Sequence, residues 1–225
     1  MLSAGRTLIS SMTLGSDPVS QIITAGRLLS DRQILAGSGG NLSIRLDAER
    51  ILITRSGVAK GRMVEGDIVA VDLEGRPARG QGEPSSEMLM HLFVYRERPD
   101  VMACVHTHPP YATGFAVAGI PLSADVLPEV IVYVGEIPLT PYASPGTDAV
   151  PKSLAPFIQN HNAFLLANHG LLTIGRTMEE AFNRHETVEQ FARIMAVARQ
   201  LGPVNHIPSE DFRRLAASRP ESEQH

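Results

Sequence analysis

Three histidines and one carboxylate carry the chemistry this sequence can do. His106 and His108 stand two residues apart at the end of a short apolar run, VMACV. Strand side chains alternate between faces, so the two imidazoles point the same way. Glu87 lies upstream, behind Pro84, Ser85 and Ser86, and His169 closes a second apolar run just before Gly170. Three neutral imidazoles and one carboxylate oxygen suit a divalent metal, Zn2+ ahead of Mn2+, Fe2+ or Co2+. A lone histidine is ordinarily a hydrogen-bonded core residue, and a lone Glu87 would only strengthen a helix N-terminus. A His-x-His pair at one strand exit and a third histidine at another favour the metal.

A second set of residues is suited to an anion. Gly39-Gly40-Asn41, Ser43, Ser56-Gly57 and Ser85-Ser86 are small residues at turns or helix starts. Backbone N–H groups and hydroxyls there can approach a phosphate, and Ser85-Ser86 would add a helix N-terminus. Each is ordinary as a turn, and no P-loop lysine follows the glycines. Four such segments beside a metal candidate count for more than any one.

The elements that must position these groups follow from local signals. Asp17-Pro18 is an N-cap and first-turn proline, opening a helix with Ile22, Ile23, Leu28 and Leu29 on one stripe. Three strands follow, in the segments GSGGNLSIRL, ILITRSG and DIVAVDLEG, with turns at Gly57 and Glu74-Gly75. These are antiparallel-compatible meanders rather than a βαβ unit. Residues 85–98 read as a serine-capped helix with Met88, Leu89, Leu92 and Phe93 inward. VMACV reads as a buried strand, and residues 109–119 as a short helix. Residues 129–134 and 137–140 read as strands, and a helix ends near Asn160. AFLLANHGLLTIG reads as strand, turn, strand with His169 at the turn. Thr177 to Glu180 has the form of a capping box opening a helix to about Leu201, and a last short helix spans about 208–217.

Several residues are set aside. Cys104 reads as a core thiol and His185 as a packed ring, while His91, His161, His206 and His225 have no nameable partner. Glu179, Glu180, Arg184, Glu186, Glu189 and Arg193 read as one solvated helix face.

Length and composition bound the rest. The 225 residues can bury a substantial core, and a net charge of −4 argues against a general nucleic-acid or membrane-surface binder. One cysteine excludes an internal disulfide and fits a reducing compartment, so a cytoplasmic location is expected. Residues 1–16 read as a loose leader in which Met12 could serve as the start, 17–217 as one domain, and 218–225 as a disordered tail.

In this order the segments GSGGNLS, ILITRSG, GDIVAVD, PSSE, VHTH, IPLTPYASPGT and NHGLL resemble the class II aldolase/adducin family, over about residues 19–198. The resemblance implies an α/β fold, a three-layer αβα sandwich on a mainly antiparallel sheet, and a homotetramer with active sites between subunits. It implies a metal on His106, His108 and His169, with Glu87 as a mobile carboxylate, ligand in the empty site and general base once substrate binds. Gly40, Asn41, Ser56, Gly57, Ser85 and Ser86 would hold a substrate phosphate. The implied activity is cleavage of a phosphorylated ketose to dihydroxyacetone phosphate and an aldehyde through an enediolate. Dehydratase, epimerase, decarboxylase or a non-catalytic interaction module are the alternatives on the same fold. Two departures stand out. Arg55 replaces the proline usual between Thr54 and Ser56, and Glu129, with Asp125 nearby, falls where fuculose-type relatives place a proton-donating tyrosine from a neighbouring subunit. A glutamate in that region resembles the dehydratases of the family.

Overall fold

The computed structural model describes residues 14–78 and 82–219. Most of the expected leader and the last six residues of the expected tail lie outside the described residues. Helix α1 (Pro18–Asp31) opens as its sequence dictates, with the Asp17 carboxylate accepting from the N–H groups of Val19 and Ser20. Strands β1 (Asn41–Arg45), β2 (Arg50–Thr54) and β3 (Ile68–Asp72) then form an antiparallel meander. Helix α2 (Met88–Glu97) leads to β4 (Ala103–Thr107), and α3 (Pro110–Ala118) and α4 (Pro128–Tyr133) follow. Next come β5 (Leu139–Thr140), α5 (Ala149–Leu154), β6 (Ala163–Leu166) and β7 (Gly170–Gly175), then α6 (Met178–Leu201) and α7 (Ser209–Ala217).

All seven strands share one sheet in the order β3-β2-β1-β4-β7-β6-β5, antiparallel except for the β5–β6 pair. Both faces are covered, so the strands are apolar at successive positions rather than alternating with polar ones. Ile51, Ile53, Cys104, Phe164, Leu166, Leu172 and Ile174 face α2 and α5. Their strand neighbours Leu52, Ala103 and Val105 face α1 and the start of α6, and Ala163, Leu165 and Leu171 face α3, α4 and the rest of α6. The result is the expected αβα sandwich. Among the described residues no helix is long and apolar enough to cross a membrane.

Four local expectations need correction. The segment after Leu127 is not a strand: Pro128–Tyr133 is helix α4, with Val130 and Val134 one turn apart in the core. Pro128 pre-sets a first-turn φ, and a short β-branched run cannot by itself separate a strand from a buried helix. Of the strand expected over 137–140, only Leu139–Thr140 pairs with the sheet. Helix α2 begins at Met88, three residues after Ser85, because the preceding chain is tied to β2: Arg55 bridges Pro84, and the Ser85 N–H donates to the Thr54 carbonyl (3.1 Å). Its inward residues are Met90, His91, Leu92, Val94 and Tyr95, while Leu89 is 39% exposed. The capping box of α6 is half formed. Thr177 Oγ1 accepts from the Glu180 N–H (3.1 Å), but the Glu180 carboxylate accepts from Arg176 N instead of closing back on Thr177.

Candidate metal centre

Strand β4 runs out at Thr107, and His106 and His108 face the α2 side of the sheet from its end. His169 arrives on the β6–β7 turn, where Asn168 takes a left-handed φ of 54° and the His169 N–H donates to Leu166 O (3.0 Å). Glu87 stands at the N-cap of α2. These four side chains each offer a ligand atom, and the four atoms lie within 4.8 Å of one another. The three rings form a triangle with centroids 5.0, 4.7 and 5.1 Å apart. His106 is fully buried and His108 is the most exposed of the four, its ring only partly covered.

Two glycines let the backbones come this close. A Cβ on Gly170 would lie 2.5 Å from Thr107 O and 2.7 Å from His108 Cδ2, and one on Gly40 (φ 73°) 2.5 Å from His106 O. The two backbone oxygens cannot give way, and the His108 ring can do so only by leaving its place in the triangle. Gly170→Ala is therefore expected to cost about 1–3 kcal/mol of stability through overpacking. It should also displace His108, read as a lowered Tm together with a lowered metal content after dialysis against Zn2+.

The electrostatics call for a cation. His106 Nδ1 donates to the Leu171 carbonyl (2.9 Å), so Nε2 is the nitrogen turned toward Glu87, 3.2 Å from its Oε2. His169 Nε2 lies 2.8 Å from Glu87 Oε1. The distances suit ion pairs, yet hydrogen-bond geometry is not met. Glu87 Oε1 and His106 Nε2 are both buried without a hydrogen-bond partner. His106 Nε2 faces Glu87 Oε2 and Glu87 Oε1 faces His169 Nε2, and a buried acceptor in either contact is costly unless a proton or a metal lies between the two atoms. Burial, reinforced by the neighbouring rings, pushes His108 down to about 4, so it is neutral and able to ligate. Burial would raise the Glu87 carboxyl, but the adjacent imidazoles outweigh it and hold it well below the usual carboxylate range. The residues present fit a divalent ion.

The anion segments lie close to one another, with different exposure. Ser56-Gly57 lies beside Pro84 to Ser86, joined by Ser56 N–H donating to Glu83 O (3.1 Å), and Gly39-Gly40 runs against His108 and His106. Ser56, Gly57 and Ser86 are exposed, whereas Gly40, Asn41 and Ser85 are buried. The Asn41 amide is committed locally, its Nδ2 donating to Glu87 Oε2 (2.8 Å) and its Oδ1 meeting His91 Nε2. Ser85 Oγ accepts from the Glu87 N–H (3.3 Å).

Glu129 is exposed in the first turn of α4. It lines a separate groove with Arg32, Glu186 and Arg193, and no hydrogen bond or ion pair joins it to the histidines among the described residues. Asp125 is tied elsewhere, accepting from Ser123 Oγ and pairing with His206 Nδ1 (3.0 Å); these bonds, Ser123 first, lower its pKa.

Other residues carry more than the sequence suggested. Lys60 is buried, and its Nζ donates to the carbonyls of Ser38 (3.2 Å), Arg55 (3.3 Å) and Val58 (2.7 Å). It thereby fastens the glycine-rich loop to the Ser56-Gly57 loop. Burial lowers its pKa, against the attraction of Asp67 and Glu87. The charged face of α6 is not all solvated, since Arg184 and Glu189 are 4% and 3% exposed. Glu189 accepts from the N–H groups of Tyr111 (3.1 Å) and Ala112 (2.8 Å), capping α3 just after His108. No spacing rule separates these two from their exposed neighbours. His185 and Cys104 are core residues as expected; the His185 ring lies between Thr107 Oγ1 (2.7 Å) and Thr173 Oγ1 (3.0 Å).

A family model described as the Class II Aldolase and Adducin N-terminal domain matches residues 20–196. The chain is 35% identical over 176 residues to an L-fuculose phosphate aldolase of Methanococcus vannielii, spanning 78% of this chain and 94% of that protein. It is 32% identical over 177 residues to a 3-oxo-tetronate 4-phosphate decarboxylase of Haemophilus influenzae, spanning 77% and 84%. The solved structure of an L-fuculose 1-phosphate aldolase matches with a TM-score of 0.82 at 33% identity, covering 90% of this chain and 96% of that one.

Proposed function

The chain belongs to the class II aldolase and adducin family, and on that premise we propose that it is a metal-dependent lyase cleaving a phosphorylated ketose to dihydroxyacetone phosphate and an aldehyde. The observation that carries this reading is the pair of buried, unpartnered acceptors, Glu87 Oε1 and His106 Nε2, inside a ring of three imidazoles. His106, His108, His169 and Glu87 would hold the ion, and their donor set favours Zn2+ over Mn2+, Fe2+ or Co2+. A divalent ion there supplies a Lewis acid where negative charge grows as the carbon–carbon bond breaks.

The chain's own residues do the rest. Glu87 has one oxygen anchored by Asn41 and the other without a hydrogen bond, so Oε1 is the atom that takes and returns a proton. The exposed Ser56, Gly57 and Ser86, with Gly40, Asn41 and Ser85 shaping the loops beneath, hold the substrate phosphate over the buried charge of Lys60. That grip orients the reacting carbons, so a dephosphorylated substrate loses rate as well as affinity. Glu129 is exposed and reaches a site only on a neighbouring copy, which fits a homo-oligomer, a tetramer in the family pattern. With Asp125 occupied, Glu129 is the better proton donor of the two. Glu129→Gln is expected to lower kcat about 10²-fold or more while leaving metal content unchanged.

The test is incubation of the Zn2+-loaded protein with a panel of ketose 1-phosphates, following dihydroxyacetone phosphate with a coupled reductase. Release of carbon dioxide from a 3-oxo acid phosphate is assayed in parallel, because the Haemophilus influenzae relative is a decarboxylase. Both reactions leave a carbanion beside an oxygen and draw on the same site. No turnover of any substrate would return the chain to the interaction modules of its family.

A further inference from the structure

The metal-centre carboxylate is held by a polar column that runs through the core. On β1, Asn41 and Ser43 point to one face, and on α2, Glu87, His91 and Tyr95 are spaced by four. Two strand residues advance about 6.8 Å and four helical residues about 6 Å, so the two ladders meet rung by rung. Asn41 joins Glu87 to His91, and Ser43 joins His91 to Tyr95. Asn41, Ser43, His91 and Tyr95 are 2%, 0%, 0% and 1% exposed.

The direction of every hydrogen bond in this column is determined. The Glu87 carboxylate can only accept, so the Asn41 NH2 group faces it (2.8 Å) and Asn41 Oδ1 faces His91. His91 Nε2 must therefore carry the hydrogen, at 2.5 Å from Oδ1. Burial keeps the ring neutral, with its pKa at about 3, so Nδ1 is an acceptor. The Ser43 hydroxyl donates to it (2.6 Å), and Ser43 Oγ in turn accepts from the Tyr95 hydroxyl (2.8 Å). Reversing any one bond sets two acceptors or two donors against each other somewhere along the column.

We infer that His91, with its tautomer set by Ser43, is a positioning residue that fixes the Asn41 amide and through it the orientation of the Glu87 carboxylate toward the metal centre. This deepens the proposed function and rests on the four-ligand reading of that site. It also gives Asn41 a role distinct from phosphate contact. Without a donor at position 43, His91 Nδ1 is left without a partner, the tautomer that donates to Asn41 loses its support, and the amide that faces Glu87 is held less firmly.

The probe is Co2+ alone, titrated into metal-free protein and read from its visible absorption bands. Ser43→Ala is expected to weaken Co2+ binding about tenfold, the low end of the effect of losing an outer partner of a metal ligand. His91→Leu should match it, and His91→Gln, whose amide can still donate to Asn41, should recover most of the loss. In a Glu87→Ala background Ser43→Ala should have no further effect, since the coupling runs through that carboxylate. With an active substrate in hand, kcat should fall about tenfold in Ser43→Ala with KM within threefold. Should His91→Leu fail to fold, the Ser43→Ala pair of titrations decides the matter alone. Wild-type-like Co2+ affinity in folded Ser43→Ala, or an equal loss in the Glu87→Ala background, overturns the positioning role. Wild-type protein that takes up no Co2+ overturns the four-ligand reading itself, and this inference with it.

Discussion

Glu87→Gln is expected to lower kcat by about 10²–10⁴-fold while the protein stays folded and still binds metal. Glutamine has the same shape, and its oxygen can still accept from Asn41 Nδ2, so the outer anchor of the side chain survives. What it loses is basicity. An amide cannot take a proton at the position of Oε1, the one carboxylate atom that the wild-type protein buries without a hydrogen bond. Three imidazoles remain to hold the ion, and loading should need no more than about tenfold higher Zn2+. KM for the ketose phosphate should change little, because the residues proposed to grip the phosphate are untouched. The measurement is steady-state kinetics alongside metal analysis of the same sample. Retention of more than about a tenth of wild-type kcat would mean that Glu87 serves only as a ligand or an anchor, and the proton would have to be taken elsewhere.

The sandwich could be read from the sequence wherever burial alone decides structure. The meander of β1 to β3, the run into His106 and the β6–β7 turn at His169 follow from apolar runs broken by glycine and polar turns. Elsewhere, contacts distant in sequence set the outcome. Pro128–Tyr133 is rich in β-branched residues yet is a helix, with Val130 and Val134 packed among residues of α3, α6, β6 and β7 that lie far from it in the sequence. In α2, Leu92 is buried and Met88 and Phe93 pack against the core as expected, but Leu89 is exposed, and the apolar residues give no reason to turn His91 inward. That reason is the Asn41–Ser43 ladder on β1, 50 and 48 positions away in the chain. The same applies to Asn41, which reads as part of an anion loop and proves to hold Glu87. Lys60 and Glu189 look like surface charges until the carbonyls and N–H groups that receive them are known. The four candidate ligands were legible for a simpler reason: their residue types are rare together, and strand ends bring them to one edge.

His106→Ala separates holding the ion from moving the proton. His106 is the fully buried member of the proposed ligand set, and its Nδ1 is tied to Leu171 O, so its Nε2 is the most rigidly aimed nitrogen of the three rings. Four-ligand Zn2+ sites are worth about 10–16 kcal/mol. Losing a quarter of that, ~3 kcal/mol, weakens binding roughly 10²-fold. The cavity left behind and the orphaned Leu171 carbonyl add to the cost. As purified, the variant should carry little metal and show no measurable cleavage. Zn2+ added well above its weakened dissociation constant should restore part of the activity of His106→Ala but none of that lost in Glu87→Gln, since extra metal cannot replace a missing base. If Zn2+ rescued both variants alike, the two residues would share one function as ligands. Full activity in wild-type protein stripped of metal would be the more damaging result, because the buried, unpartnered acceptors at Glu87 and His106 would then have to be satisfied by a proton and the chemistry carried without an ion.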